Sequence, residues 1–163
     1  ENQGDYNPHN ELAPELSTDI IKAHAKDGYD LIMRNRLPKV IADVCLEHHG
    51  TLPILYFYGK AKKFTDGEVD IAQYCYPGPK PKTKIAAIIM IADTVEAACR
   101  SFMPDNKEEF VERVNKLVDE KFSFGQFDDC PITIQDIARI KETIIDVLPS
   151  IHHSRVSYDK RKK

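Results

Sequence analysis

The chain has 163 residues, of which 26 are acidic and 23 are basic, so its formal net charge is -3. This length suits one ordinary domain, and so balanced a charge gives no general reason to expect nucleic acid or an anionic membrane as a partner. The 4 cysteines are widely spaced and form no Cys-x-x-Cys pair, which argues against a zinc knuckle and favours reduced thiols over a disulfide framework.

The first predicted elements are two helices separated by a short turn. Ser17 is a typical N-cap residue, and apolar residues recur at helical spacing from there to about Asn35. Pro38 suits the start of a second helix, from Lys39 to His48. Gly50 then supplies the left-handed exit that often ends a helix.

The rest of the chain also predicts helices. Residues 52–64 are apolar and aromatic and would suit a strand as well, but their surroundings favour a helix. Residues 65–83 hold a proline-rich loop, and the helix over 84–103 is apolar nearly all round, which predicts a central position. Amphipathic helices follow over 107–122 and, after a Thr133 cap, to residue 151. The pattern predicts an all-α bundle that forms one domain over residues 1–163.

Three histidines and one aspartate form the most informative set of side chains. His48 and His49 are adjacent at a helix end, and His24 lies on the inward face of the first helix. Asp93 stands within the most apolar helix, where a buried carboxylate needs a cationic partner. Together they suit a transition metal such as Fe, Mn, Zn or Ni rather than Ca or Mg.

The same residues also allow a structural interpretation. Glu96 and Arg100 continue the face of Asp93 along the helix, so an ion-pair network is an alternative to a metal. We expect His9 and the pair His152-His153 at surface or supporting positions rather than as ligands. The basic cluster 160–163 is expected to be a solvated tail.

Several motifs occur together in one order along nearly the whole chain. They are Asn7-Pro8-His9, the segment Ile21 to Gly28 with His24 inside, Leu37-Pro38, His48-His49-Gly50-Thr51, Tyr76 to Pro81, Ile91-Ala92-Asp93 through Ala98, and His152 with Ser154-Arg155. In this arrangement the chain resembles the cytoplasmic HD domain of the seven-transmembrane HD phosphodiesterases, which hydrolyse cyclic di-AMP. The resemblance implies an HD-type helical bundle and a metal-dependent phosphohydrolase.

The resemblance implies a site with two transition-metal ions, Fe or Mn. His24, His48 and His49 would hold one ion, Asp93 would help to hold the other, and Glu96 would support the ligands without binding metal. The family bridges its ions with the Asp of a His-Asp pair, and this chain contains no His-Asp dipeptide. We therefore expect a domain that is incomplete at its N-terminal side, with at most one partial metal site and no activity on its own.

The substrate implied by the resemblance is a cyclic dinucleotide, with linear pApA as product. A dianionic ligand needs cationic or N–H donors near the metals and apolar or aromatic surface for its bases. Thr51, Lys80 and Arg100 are the expected substrate contacts, and Tyr76 with the proline loop could form a wall for a base. Their structural alternatives are a salt bridge for Arg100 and a solvent-facing Lys80.

The resemblance also predicts where the domain works. It implies the cytoplasmic domain of a bacterial inner-membrane protein, which meets the membrane only through segments absent from this chain. No nucleic-acid partner is expected, and an oligomer remains open. Two alternatives stay open as well: an HD phosphohydrolase acting on another nucleotide, and a non-catalytic sensor of cyclic dinucleotides.

Overall fold

The computed structural model describes residues 7–101 and 106–153, and this part of the chain is all-α, as predicted. Its α-helices are α1 (Pro14–Arg34), α2 (Lys39–Glu47), α3 (Leu55–Phe64), α4 (Lys84–Ser101), α5 (Lys107–Ser123) and α6 (Ile134–His153). Short 3-10 turns cover Pro8–Asn10 and Ile71–Tyr74. The aromatic run after residue 52 is thus a helix and not a strand. An isolated bridge between Pro53 and Cys75 ties the start of α3 to the following loop.

The beginning of α1 differs from the prediction. The helix begins at Pro14 with Ala13 as its N-cap residue, so the prediction of Ser17 as cap was wrong. Proline suits the first helical position, because its φ is already helical and its missing N–H has no partner to lose there. Ser17 is fully buried one turn later and donates its backbone N–H to the carbonyl of Ala13.

The predicted Thr133 cap of α6 is confirmed. Its hydroxyl oxygen accepts from the backbone N–H of Asp136, and the Asp136 carboxylate accepts from the Thr133 backbone N–H in return. This reciprocal pairing satisfies two donors at the helix start.

None of the described helices is long and apolar enough to cross a membrane.

The main core lies between α4, α5 and α6. It is built from aliphatic and aromatic side chains of these helices, including Met90, Ile91, Val95, Val114 and Ile137. The predicted central position of α4 is therefore confirmed for one face. It was wrong for the opposite face, where Ile85, Ile88 and Ile89 are 42–57% exposed.

A close approach between α1 and α2 brings their histidines together. A Cβ atom added at Gly28 would stand 2.4 Å from Sγ of Cys45. The thiol also contacts the carbonyl of Ala25, with a sulfur to oxygen distance of 3.8 Å. The absence of a side chain at Gly28 thus sets the spacing of the two helices that carry His24 and His48.

We expect Gly28→Ala to lower the free energy of unfolding by about 1–3 kcal/mol, because the added methyl group overpacks this contact. The measurement is urea denaturation followed by circular dichroism. Cys45→Ala removes the opposing sulfur, so the glycine substitution should cost clearly less in that background. An equal cost in both backgrounds would contradict the proposed steric origin.

Candidate metal centre

His24 of α1 and His48 and His49 at the end of α2 converge on one point. Nε2 of His24 is 3.1 Å from Nε2 of His49 and 3.4 Å from Nε2 of His48. The ligand atoms of the three rings all lie within 4.8 Å of one another. The sequence prediction that these residues belong together therefore agrees with their positions.

Backbone carbonyls orient two of the rings. Nδ1 of His24 lies 2.5 Å from the carbonyl oxygen of Ile21, and Nδ1 of His48 lies 2.6 Å from that of Cys45. A carbonyl only accepts, so each Nδ1 carries the proton and donates it. In the neutral rings, Nε2 of both histidines then carries a lone pair that faces the common point. Two such lone pairs repel each other unless a proton or a cation lies between them.

Burial favours the neutral form of the adjacent histidines. Desolvation lowers the pKa of His48 below its usual value. Desolvation also lowers the pKa of His49, to about 3, with further contributions from His48 and His24. Neutral imidazoles are the form that binds metals.

The chemistry of the three nitrogens suits a transition-metal ion. Imidazole suits Zn, Cu, Fe and Ni, whereas Ca and Mg prefer oxygen ligands. Nitrogens that share a metal at about 2.1 Å stand about 3.0–3.4 Å apart at octahedral to tetrahedral angles, which matches the separations of the His24 nitrogen from the other two. Three protein ligands also leave positions open for water or substrate.

Asp93 lies beside the histidine cluster but not within it. Its Oδ2 is 4.0 Å from Nδ1 of His49, and its side chain is 45% exposed. The prediction of a buried carboxylate was wrong, because Asp93 lies on a side of α4 that the core does not cover. Its position at the outer nitrogen of His49 still leaves it available to a cation next to this cluster.

A buried glutamine fixes the turn after His49. Gly50 has a φ of 53°, and the next residue, Thr51, donates its backbone N–H to Oε1 of Gln126 at 2.9 Å. Nε2 of Gln126 donates to Oγ1 of Thr51, also at 2.9 Å, and to the carbonyl of Phe124. Gln126 thus binds both the backbone N–H and the hydroxyl oxygen of Thr51, the residue predicted to contact substrate. The hydroxyl group of Thr51 can still donate its own proton.

Tyr76, at the start of the proline loop, borders the histidine cluster. The Tyr76 ring stacks on His49, with ring centres 4.3 Å apart, and meets His24 edge-on at 6.0 Å. Buried Glu47 accepts from the backbone N–H of Lys82 and so anchors the end of the loop to α2. Lys80 of this loop pairs with Asp128 at 3.1 Å and keeps 29% of its side chain exposed.

The remaining predicted residues lie apart from the histidines. Arg100 pairs with Glu96 at 3.5 Å, and both side chains are well exposed, which matches the ion-pair alternative for Arg100. Neither Arg100 nor Lys80 forms a hydrogen bond or an ion pair with the three histidines within the described part of the chain.

His9 was expected at the surface or in a supporting position. Its side chain is buried, with its ring centre 5.7 Å from that of Phe57. The side chains of His152 and His153, and the whole tail 160–163, lie outside the described residues.

Two further residues near the cluster were not predicted. Gln126 is 1% exposed and Lys121 is 7% exposed, and both lie at the C-terminal end of α5 or just beyond it. No hydrophobic periodicity in the sequence predicts that Gln126 is buried. Lys121 could have been noticed, because it falls on the apolar stripe of α5, where a lysine is out of place.

Comparison with known proteins finds similarity to two bacterial proteins over part of their length. No family model matches it. It is 46% identical over 152 residues to the cyclic-di-AMP phosphodiesterase PgpH of Listeria monocytogenes and 40% identical over 157 residues to PgpH of Bacillus subtilis. These matches cover 93% and 96% of this chain, but the chain spans only 21% and 22% of the two relatives.

Solved structures match the fold as well as the sequence. The HD domain of L. monocytogenes PgpH superposes with a TM-score of 0.84 at 45% identity, covering 91% of this chain and 69% of that one. The same domain in complex with cyclic-di-AMP gives a TM-score of 0.85 at 46% identity, with coverage of 93% and 71%.

Proposed function

We propose that this chain, which belongs to the PgpH family of HD domains, contributes to a metal-dependent phosphodiesterase that hydrolyses cyclic di-AMP to linear pApA. One observation carries the proposal: three half-buried histidines direct their Nε2 atoms to one point. They do so in a chain 46% identical to a domain that was crystallised with cyclic-di-AMP. The fold supports it, since two-metal phosphodiester hydrolysis needs rigidly held nitrogen and carboxylate ligands.

His24, His48 and His49 would hold one transition-metal ion, Fe or Mn, and Asp93 would help to hold a second beside His49. Such a pair of ions supplies an activated water for attack on phosphorus and neutralises charge on the phosphoryl oxygens. Burial favours the neutral form of His48 and His49. The carbonyls of Ile21 and Cys45 orient the rings of His24 and His48. Glu96 lies on the same helix as Asp93 and would support it without binding metal.

The substrate would lie against the open side of the histidine cluster. Tyr76, already stacked on His49, offers an apolar face to an adenine. Thr51 offers its hydroxyl proton from the turn that follows His49. Lys80 and Arg100 would supply positive charge, and each would exchange an exposed carboxylate partner for a phosphate.

The proposal extends to the setting of the domain. We infer a cytoplasmic domain of a bacterial inner-membrane protein, supported by the resemblance to the seven-transmembrane HD family. The chain spans about a fifth of the length of its curated relatives, so hydrolysis is best tested in the protein expressed from its complete gene.

The chain alone should bind no more than one equivalent of Co²⁺, used as a visible substitute for Fe or Mn, with the absorption expected of nitrogen ligands. The protein from the complete gene should convert cyclic di-AMP to pApA with Mn²⁺, and a chelator should stop the reaction. The measurements are metal analysis, absorption spectroscopy and chromatography of the nucleotides. A chain that binds no metal would contradict the proposed ligand set. Tight binding of cyclic di-AMP without turnover would favour the sensor instead.

A further inference from the structure

Lys121 is a buried lysine that packs between α5 and α4. It lies in the last turn of α5, on the stripe formed by Phe110, Val114 and Val118, and is 7% exposed. Together with Ile91 and Thr94 of α4 it lines a small gap between the two helices. These two residues flank Asp93 in the sequence, so the lysine packs against the part of α4 that carries this carboxylate.

Among the side chains that the structure describes, the ammonium group of Lys121 makes no hydrogen bond and no ion pair within 4.0 Å. Burial lowers the pKa of Lys121, against the opposing effects of Glu120 and Asp93, whose negative charges raise it. The positive charge of Lys121 is in turn one of the smaller causes that lower the pKa of His49. A buried cation without a partner is costly, and an arriving anion would remove that cost.

Hydrogen bonds through Gln126 link the backbone at Lys121 to the turn that follows His49. Its backbone carbonyl accepts from the N–H of Gln126 at 2.9 Å, and Gln126 holds Thr51 through two hydrogen bonds. Thr51 follows His49 by two residues. The C-terminal end of α5 is thereby joined to the turn that carries His49.

We propose that Lys121 is a substrate-binding residue whose ammonium group donates to a phosphoryl oxygen of the cyclic dinucleotide held beside His49. The assignment rests on the proposed function and deepens it. Lys121 differs from Lys80 and Arg100, which already have carboxylate partners in this structure. It is the buried group whose charge an incoming phosphate would balance.

The test compares Lys121→Met with Lys116→Met, a control on the exposed side of the same helix. In the protein from the complete gene, Lys121→Met should raise the KM and the Kd for cyclic di-AMP about 10- to 100-fold, the loss expected for one charge-assisted hydrogen bond. Metal content should not fall, because a lysine repels cations and is not a metal ligand here. The melting temperature should not fall, because methionine replaces an unpaired buried charge. Lys116→Met should change none of these quantities.

Calorimetric binding keeps the two proposals separate. A wild-type protein that binds cyclic di-AMP without hydrolysing it contradicts the phosphodiesterase, yet the tenfold or greater loss in Lys121→Met would still support the lysine. An unchanged Kd in Lys121→Met overturns the role of Lys121. So does loss of metal or of fold in that variant, because either result would make the lysine a structural residue.

Discussion

His49→Ala is expected to weaken metal binding by this chain more than about 100-fold and to abolish cyclic di-AMP hydrolysis by the protein from the complete gene. Loss of a group that only supports a ligand costs about 10- to 100-fold in metal affinity, and His49 would be a ligand itself. It is also the ring that joins the cluster to Asp93 and Tyr76. Titration with Co²⁺ and chromatography of the nucleotides measure the two effects.

The matched control is Lys39→Ala, on the exposed side of the same helix that leads to His49. It should keep both metal affinity and turnover. Circular dichroism should show unchanged helix content in both variants, because His49 lies beyond the end of α2. Metal binding that survives His49→Ala would remove this residue from the ligands and leave His24 and His48 as an insufficient pair.

The helices and the histidine cluster were within reach of sequence reasoning. Helical spacing, Pro38 and Gly50 predicted α2 to within one residue, and the predicted left-handed conformation of Gly50 is confirmed. Helical spacing placed His24 on the inward face of the first helix, and the family resemblance joined it to His48 and His49 as one set of ligands. Helix boundaries of this kind can be predicted because they depend on residues that are close together in the sequence.

Contacts between distant segments were not within reach. Gln126 hydrogen-bonds to Thr51, which is 75 positions away in the sequence. No hydrophobic periodicity or motif around Gln126 predicts this contact. The burial of Asp93 was inferred from its apolar sequence neighbours, but exposure depends on which helices pack on that side of α4. Sequence periodicity shows that a face is apolar and does not show what covers it.

Gly50→Ala is expected to lower the free energy of unfolding by about 2–5 kcal/mol and to weaken metal binding as well. Alanine in the left-handed region costs about 1–2 kcal/mol, and overpacking adds about 1–3 kcal/mol. The overpacking arises because the new Cβ would meet Oε1 of Gln126 at only 2.1 Å. Displacing Gln126 would release Thr51 and, with it, the turn that orients His49. Urea denaturation and Co²⁺ titration measure the two losses.

The same substitution at Gly59 separates this effect from the general cost of replacing glycine. Gly59 lies inside α3, and a Cβ there meets nothing within 4 Å. Gly59→Ala should therefore stabilise the chain by about 0.5–1 kcal/mol, since alanine is the better helix former, and leave metal affinity unchanged. If Gly50→Ala destabilised the fold but kept full metal affinity, the Gln126 contact would support the bundle without positioning His49. Parallel losses of stability and metal affinity, absent at Gly59, would tie the orientation of the ligand to this one turn.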